Sequence, residues 1–367
     1  MNHIQNDIVS EVAGATGLIT LHRPRALNAL SLGMIRELTR VLLAWRDDPA
    51  IRQVAIRGQG RESAFGAFCA GGDIRYFHQA AHAGDPSLED FFTEEYMLNH
   101  LIHSYPKPYV AFMDGIVMGG GMGISQGARL RIVTERTKMA MPETNIGLFP
   151  DVGGGWFLGR CPGSVGEYLA LTGQVIGDEE AVACGLADRC IPSASLDTLW
   201  TTLAQTREFE AWQAALPATA APVATAGFLA HRAAIDRHFA HPTVAQIVQS
   251  LLADGSEWAL QCEQTLRTRS PLMLHVVLEQ VRRGRHMTLA QDLRMERDLV
   301  RHCFDTVHLK RRGHTSETVE GIRALAVDKD HAPRWNPARI EDVTPSMVMP
   351  FFESPWPAHA HPLRTLA

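Results

Sequence analysis

Three short apolar stretches, GLITLHRP, RQVAIRG and PYVAFMDG, each lead into a turn and then a helical pattern, an order that leaves few folds open to the chain. The first closes a hairpin that begins at Ile8, turns around AGATG and ends near Leu21. Ser31 then stands where a helix cap belongs. Leu32, Ile35, Leu38, Val41, Leu42 and Trp45 recur on one helical face until Asp47, Asp48 and Pro49 end the element. RQVAIRG reads as the next strand, with loop and helices to about Ile102, and PYVAFMDG as a third, followed by a glycine turn and a short helix. Short strands alternating with helices predict an α/β plan. Past about Pro192 the strand signals stop, and LDTLWTTLAQTREFEAWQAAL, TVAQIVQSLLAD, PLMLHVVLEQVRRG and TLAQDLRMERDLVRHCF all carry helical periodicity. Thr288 and Gln291 are spaced as a capping box. The expected organisation is therefore residues 1–195 carrying the strands and residues 196–367 as a helical region. PATAAPVATAG, from Pro217 to Gly227, reads as a linker or as a loop inside a helical layer.

With 367 residues, 46% of them hydrophobic, the chain can bury one large core or two ordinary ones. A formal charge of −5 argues against nucleic acid as a partner, although 17 histidines make that charge sensitive to mild acid. The longest apolar run, PYVAFMDGIVMGGGMGI, is broken by Asp114 and crowded with glycine, and MNHIQNDIVSEV has neither the basic head nor the apolar body of a signal peptide. No membrane insertion is expected. Cys69, Cys161, Cys184, Cys190, Cys262 and Cys303 form no CxxC pair and no metal-type spacing, which points to reduced thiols in a cytoplasmic protein. Cys69, beside a glycine pair, reads as a small packing residue.

Two glycine turns, FCAGGDI and DGIVMGGGMG, each follow an apolar strand and lead toward a helix. Such turns expose backbone N–H groups, and two of them can aim donors at one developing oxyanion; tight turns needed only for packing would look the same. Neither matches a dinucleotide or P-loop fingerprint. The string MPETNIGLFPDVGGGWF sets Glu143 and Asp151 among apolar residues, prolines and glycines. A carboxylate there is costly to desolvate, and its pKa should rise toward the range useful for acid, base or nucleophilic chemistry. The ordinary alternatives are a turn residue after Pro142 for Glu143 and an N-cap for a helix beginning at Gly153 for Asp151; spacing alone favours the cap. His78 and His82 fall four apart with no third ligand, and suit an exposed helix face. AHAHP, Ala358 to Pro362, reads as a mobile tail, while Arg282, Arg283, Arg285 and Lys310 to Arg312 read as solvated charge unless one patch meets phosphates. No G-x-S-x-G elbow is present.

RPRALNAL, FCAGGDI, MGGGMG and MPETNIGLFPDVGGGWF, in this order, resemble the enoyl-CoA hydratase/isomerase (crotonase) superfamily. EEYMLN, KPYVAFMDGIVMGGGMG and EGIRALAVDKDHAPRW narrow the likeness to its thioester-hydrolase branch, which cleaves 3-hydroxyisobutyryl-CoA in valine breakdown. The resemblance implies a crotonase-like spiral of ββα units followed by helices. It implies that the N–H groups of Gly72 and Gly120 form an oxyanion hole for a thioester carbonyl. It carries the catalytic carboxylates onto Glu143 and Asp151 and a substrate-contacting glutamate onto Glu95. Glu143 would attack the thioester to give a mixed anhydride or activate water against it, and Asp151 would hold the 3-hydroxyl and assist proton transfer. Arg23, Arg25 and Ala26 match the edge that binds CoA, with Asp73, Ile74 and Arg75 beside the adenine or pantetheine and Lys329 as a phosphate contact. Hydratases of the superfamily carry a second catalytic glutamate two residues after the glycine triplet, where this chain has Gly123 following Met122, and the absence of that acid disfavours hydration. The implied partner is an acyl-CoA, with no metal or redox cofactor and room for a homo-oligomer. The competing expectations are an enoyl-CoA hydratase or isomerase and an acyl-CoA-binding module without turnover.

Overall fold

The computed structural model describes residues 7–217 and 227–367, so most of the linker candidate lies outside the described residues. The predicted hairpin forms: Ile8–Ala13 pairs antiparallel with Thr16–Leu21, and Ala13 faces Thr16 across a two-residue turn in which Gly14 has a φ of 60°. Gln53–Gly58, Tyr109–Met113, Leu130–Val133 and Arg189–Cys190 then add in parallel, in chain order, to make six strands. Each pass of the chain adds its strand beside the last, which produces a spiral. The inner strands are buried on both faces, as parallel strands require, and YVAFM has no exposed residue. The Leu32–Asp47 helix follows its predicted bounds, with the Ser31 hydroxyl accepting from the Met34 N–H.

One register row crosses the sheet from Leu18 through Ala55 and Val110 to Leu130. This row packs with Leu196, Trp200, Leu203, Phe209 and Trp212. The first three recur at i, i+4 and i+7 on the Leu196–Gln205 helix, so its apolar stripe is the lid of the sheet. Buried hydrogen bonds fasten it: Thr16 Oγ1 donates to the Leu203 carbonyl at 2.9 Å and Gln53 Nε2 to the Thr206 carbonyl at 2.9 Å.

By packing, the chain forms two compact units that interleave in sequence, one from residues 1–72, 97–139 and 175–229 and the other from 73–96, 140–174 and 230–367. This division cuts across the boundary expected at residue 195, because the first helices after that point carry the apolar face the sheet needs. The second unit is helical. Thr243, Ser256, Ser270 and Thr288 each cap a helix by accepting a backbone N–H, and the Thr288–Gln291 capping box forms. The Pro271–Gly284 helix packs on Gly154–Leu158 and Val165–Thr172. A Cβ on Gly284 would lie 2.4 Å from the Gly155 carbonyl carbon, so that crossing needs glycine.

Three expectations are corrected here. Arg282, Arg283 and Arg285 are not solvated charge: Arg285 donates to Glu167 at 2.8 Å, Arg282 to the His241 carbonyl at 2.6 Å, and Arg283 to Glu279 at 2.7 Å. The Lys310–Arg312 run is not among them: Lys310 and Arg312 are exposed as solvated charge should be, with Arg312 also pairing with Asp305 at 2.6 Å. The AHAHP tail is docked, since His361 is buried, accepts from the Leu363 N–H and faces Asp298 at 3.3 Å. The helical half also holds one strand pair, Asp305–Thr306 with Arg311–Arg312, too short to leave a period in the sequence. No helix among the described residues is long and apolar enough to cross a membrane.

Trp200 touches the Phe65 and Phe112 rings edge-on and is 7% exposed. Trp200→Ala should lower the stability of the sheet unit by about 3–5 kcal/mol, measured by denaturant unfolding. An effect below about 1 kcal/mol would show that the helix after residue 195 is not part of that unit's core.

Candidate active site

The sheet unit brings the two glycine turns side by side. Cys69 N donates to the Ile116 carbonyl at 2.9 Å and Met118 N to the Cys69 carbonyl at 3.0 Å, which pairs the chain entering each turn. A Cβ on Gly71, at φ 98°, would lie 3.1 Å from the Met118 carbonyl oxygen and 3.5 Å from Gly120 N. Gly120 is the first residue of the Gly120–Gln126 helix, where N–H groups have no intrahelical acceptor. Among the described residues neither Gly72 N nor Gly120 N donates to any backbone carbonyl. RPRALNAL explains how the first turn is held. Leu27 and Asn28 take left-handed conformations, and the buried Asn28 amide donates to the Gln59 carbonyl at 3.1 Å and the Ala67 carbonyl at 2.7 Å. Ala70 N and Leu30 N complete the seam, donating to the Leu27 and Gly71 carbonyls at 3.0 and 2.8 Å. Cys69 is buried with its thiol against the Asn28 carbonyl, a packing role.

The helical unit gathers the carboxyl groups. In the Ser87–His103 helix, Leu88, Phe91, Phe92 and Glu95 share the i, i+3, i+4, i+7 stripe, so Glu95 occupies a core position and is 2% exposed. Its neighbour Tyr96, fully buried beside the Phe92 ring, donates its hydroxyl to Asp151 Oδ2 at 2.9 Å. Glu143 opens the short Glu143–Ile146 helix and is 6% exposed, with Oε2 buried and without a partner among the described residues. Asp151 is also 6% exposed. It is not the N-cap that spacing suggested: the helix begins at Gly154, and Gly153 occupies the cap position without a side-chain bond. The donors at that helix start go instead to Glu296, which accepts from Gly153 N at 2.7 Å and Gly155 N at 3.0 Å, and to Asp292, which accepts from Trp156 N at 2.9 Å. With capping provided by another helix, the Asp151 side chain is left for other work. Between them Val152 holds a φ of 56°, a conformation that costs a β-branched residue roughly 1–3 kcal/mol.

Comparison with known proteins shows which family the chain belongs to. A family model described as enoyl-CoA hydratase/isomerase matches residues 16–352. The chain belongs to the enoyl-CoA hydratase/isomerase family. A relative from Xenopus tropicalis named "3-hydroxyisobutyryl-CoA hydrolase, mitochondrial" is 41% identical over 352 residues, 93% of this chain and 87% of that protein. The crystal structure of an enoyl-CoA hydratase from Rhodobacter sphaeroides 2.4.1 is 37% identical, with a TM-score of 0.85, covering 95% of this chain and 98% of that one. A carnitinyl-CoA dehydratase from Mycobacterium thermoresistibile is likewise 37% identical, with a TM-score of 0.84, covering 96% of this chain and 97% of that one. The crotonase fold expected from the sequence is thus the fold of this family member.

Burial sets the electrostatics of this family member's acids. Desolvation pushes the Asp151 carboxyl up to about 7, partly opposed by the Tyr96 hydroxyl, which favours the charged form. Glu143 lies well above the carboxylate range, first through desolvation and then through the charge of Asp151. Glu95 is raised by desolvation and by Asp151 and Glu143, which places the three acids within electrostatic reach of one another. They titrate as a set.

The residues expected along the CoA edge fall at two places in the chain. Arg23 precedes the Pro24–Ala26 turn and Arg25 lies within it, with Arg25 exposed and the Arg23 guanidinium donating to the Ala29 carbonyl at 2.9 Å. Asp73 caps the Ile74–Ala83 helix by accepting the Tyr76 N–H at 3.3 Å, and Arg75 is exposed on its first turn. Lys329 is exposed at a φ of 58°. On the Ile74–Ala83 helix the His78 and His82 rings lie 4.5 Å apart, tilted at 57°. Sequence reasoning missed Tyr96, Gln280, Asp292 and Glu296. The available signal was an acid on an apolar stripe: Leu289, Leu293, Glu296 and Val300 recur at helical spacing.

Because Asp151 raises Glu143, removing its charge lets Glu143 ionise at lower pH. For whichever CoA thioester the chain turns over, kcat/KM should climb with pH above the ordinary carboxylate range in the wild type, and Asp151→Asn should move that acidic limb to lower pH. A limb that stays in place, or moves upward, contradicts the assigned coupling.

Proposed function

We propose that the chain is an acyl-CoA thioester hydrolase that converts 3-hydroxyisobutyryl-CoA to 3-hydroxyisobutyrate and CoA, a step of valine breakdown. The observation that carries the reading is the trio of buried acids: Glu95, Glu143 and Asp151 share one unit, and Glu143 keeps an oxygen without a partner among the described residues. Such burial is unfavourable for folding alone, so it fits chemistry better than packing. The name of the Xenopus tropicalis relative supports the same reaction.

In this reading the thioester oxygen accepts from the N–H groups of Gly72 and Gly120 as it becomes an oxyanion, a contact worth roughly 10²–10³ in rate per donor. Ionised Glu143 attacks the carbonyl carbon, the C–S bond breaks, and the thiolate leaves with a proton relayed from Asp151. Water then cleaves the mixed anhydride and regenerates Glu143. The alternative route is the same proton traffic with Glu143 activating water directly. Asp151 also holds the 3-hydroxyl and Glu95 contacts the acyl chain. Arg25, Ala26, Asp73, Ile74 and Arg75 hold the CoA portion. The reaction needs no metal or redox cofactor. All six cysteines are thiols, five of them buried, which suits a reducing compartment; we assign the cytoplasm, while the Xenopus tropicalis relative carries "mitochondrial" in its name.

A second reading, enoyl-CoA hydration, is favoured by the two solved structures, one a hydratase and one a dehydratase. Free thiol separates the two. Purified protein with 3-hydroxyisobutyryl-CoA should release thiol, while Glu143→Gln and Asp151→Asn should each lower kcat by about 10²–10⁴. Loss of the double bond of an enoyl-CoA, with no thiol release from 3-hydroxyisobutyryl-CoA, would establish hydration instead, and full hydrolysis by both variants would remove the mechanism.

A further inference from the structure

Asp151 sits in a turn that two distant helices fasten on both sides. On its N-terminal side the Pro150 carbonyl accepts from Gln280 Nε2 at 2.6 Å. On its C-terminal side Glu296 takes the Gly153 and Gly155 N–H groups, one on each oxygen, and Asp292 takes the Trp156 N–H. Gln280 Nε2 closes the ring by donating to Glu296 Oε1 at 3.0 Å. All of these side chains are fully buried. The fit is close: a Cβ on Gly155 would lie 2.4 Å from Asp292 Oδ1, so the glycine run is what admits the acid. From the same helix Arg297, 1% exposed, pairs with Glu89 and donates to Thr93 Oγ1 at 2.9 Å, tying in the element that carries Tyr96. Within the turn, Val152 at φ 56° and Gly153 at φ 92° form consecutive left-handed residues that a free loop would relax.

We propose that Glu296 and Asp292 are positioning residues that clamp the left-handed turn and so set where the Asp151 carboxyl is held for the reaction. This inference rests on the hydrolase reading for its kinetic consequence and on geometry alone for its structural one. Burial pushes both acids upward, Asp292 to about 7, and the charge of Asp292 raises Glu296 further. Two buried acids used as backbone acceptors in place of the small caps that usually serve helix starts mark a turn held against strain.

Glu296→Gln tests the clamp, because an amide offers one acceptor oxygen where the turn needs two. Thiol release from 3-hydroxyisobutyryl-CoA should lose about 10- to 100-fold in kcat, as a displaced catalytic group does, with KM within about twofold. In an Asp151→Asn background the same substitution should change kcat by less than about twofold, since the group it positions is gone. Amide exchange at Gly153, Gly155 and Trp156 should accelerate while the Leu32–Asp47 helix keeps its protection. Asp292→Asn, which touches only the Trp156 N–H among these donors, provides the milder variant should Glu296→Gln fail to fold, with the same signs. Full multiplication of the two kcat effects, or unchanged exchange in the turn, overturns the proposal. A wild-type chain that releases no thiol defeats the hydrolase reading, and the exchange measurement then decides the clamp by itself.

Discussion

Desolvation of carboxyl groups is the constraint around which the helical unit is arranged. Five acids, Glu95, Glu143, Asp151, Asp292 and Glu296, are each at most 6% exposed, and none of the shifts they carry has a basic side chain as its leading cause. The unit tolerates them by hydrogen bonding rather than by pairing: Tyr96 serves Asp151, and backbone N–H groups serve Asp292 and Glu296. Glu95, Glu143 and Asp292 each keep one buried oxygen without a hydrogen-bond partner among the described residues. Each of these acids has a folded-state pKa above its unfolded one. Their contribution therefore favours folding most in acid and is lost as pH climbs through the raised values, on the order of 4 kcal/mol for a group moved from 3.8 to about 7. That stability is what the fold gives up to keep reactive acids near neutrality.

The sheet unit works by the opposite means. Its turns carry no charged side chain at the decisive atoms; they are backbone, shaped by glycine at φ values other residues avoid and fastened by the buried Asn28 amide. Donors fixed in this way need no reorganisation when charge develops on a bound carbonyl, which is the property an oxyanion hole requires. The spiral sheet supplies the rigidity, because each turn is rooted in a strand buried on both sides.

Much of this was legible in the chain. The hairpin, the capped Leu32–Asp47 helix and the alternation of strands and helices follow from periodicity and turn residues, which are local properties. The glycine turns and the two acids of MPETNIGLFPDVGGG announce themselves as breaches of the local pattern. What the sequence hid is non-local. Spacing suggested Asp151 as a cap because Asp commonly caps the helix that follows it; here the cap comes from Glu296 and Asp292, far along the chain, whose spacing of four residues looks like any exposed helical pair. Arg282 and Arg285 looked solvated for the same reason, their acceptors being distant carbonyls and Glu167. The fold of the Ala358–Pro362 segment depended on His361 finding Asp298, which no local signal records. Compactness departed from chain order because the helices after residue 195 carry the apolar side chains that cover the sheet.

The account stands on the claim that burial holds these acids protonated into the neutral range. Difference infrared spectroscopy of the intact protein, following the protonated-carboxyl stretch from acid to alkali, reads that property directly. The account predicts a carboxyl signal that persists to about 7 and beyond, and that loses its assigned components in Asp151→Asn and Glu143→Gln. Complete loss of the signal near the ordinary carboxylate value of about 4 would contradict it.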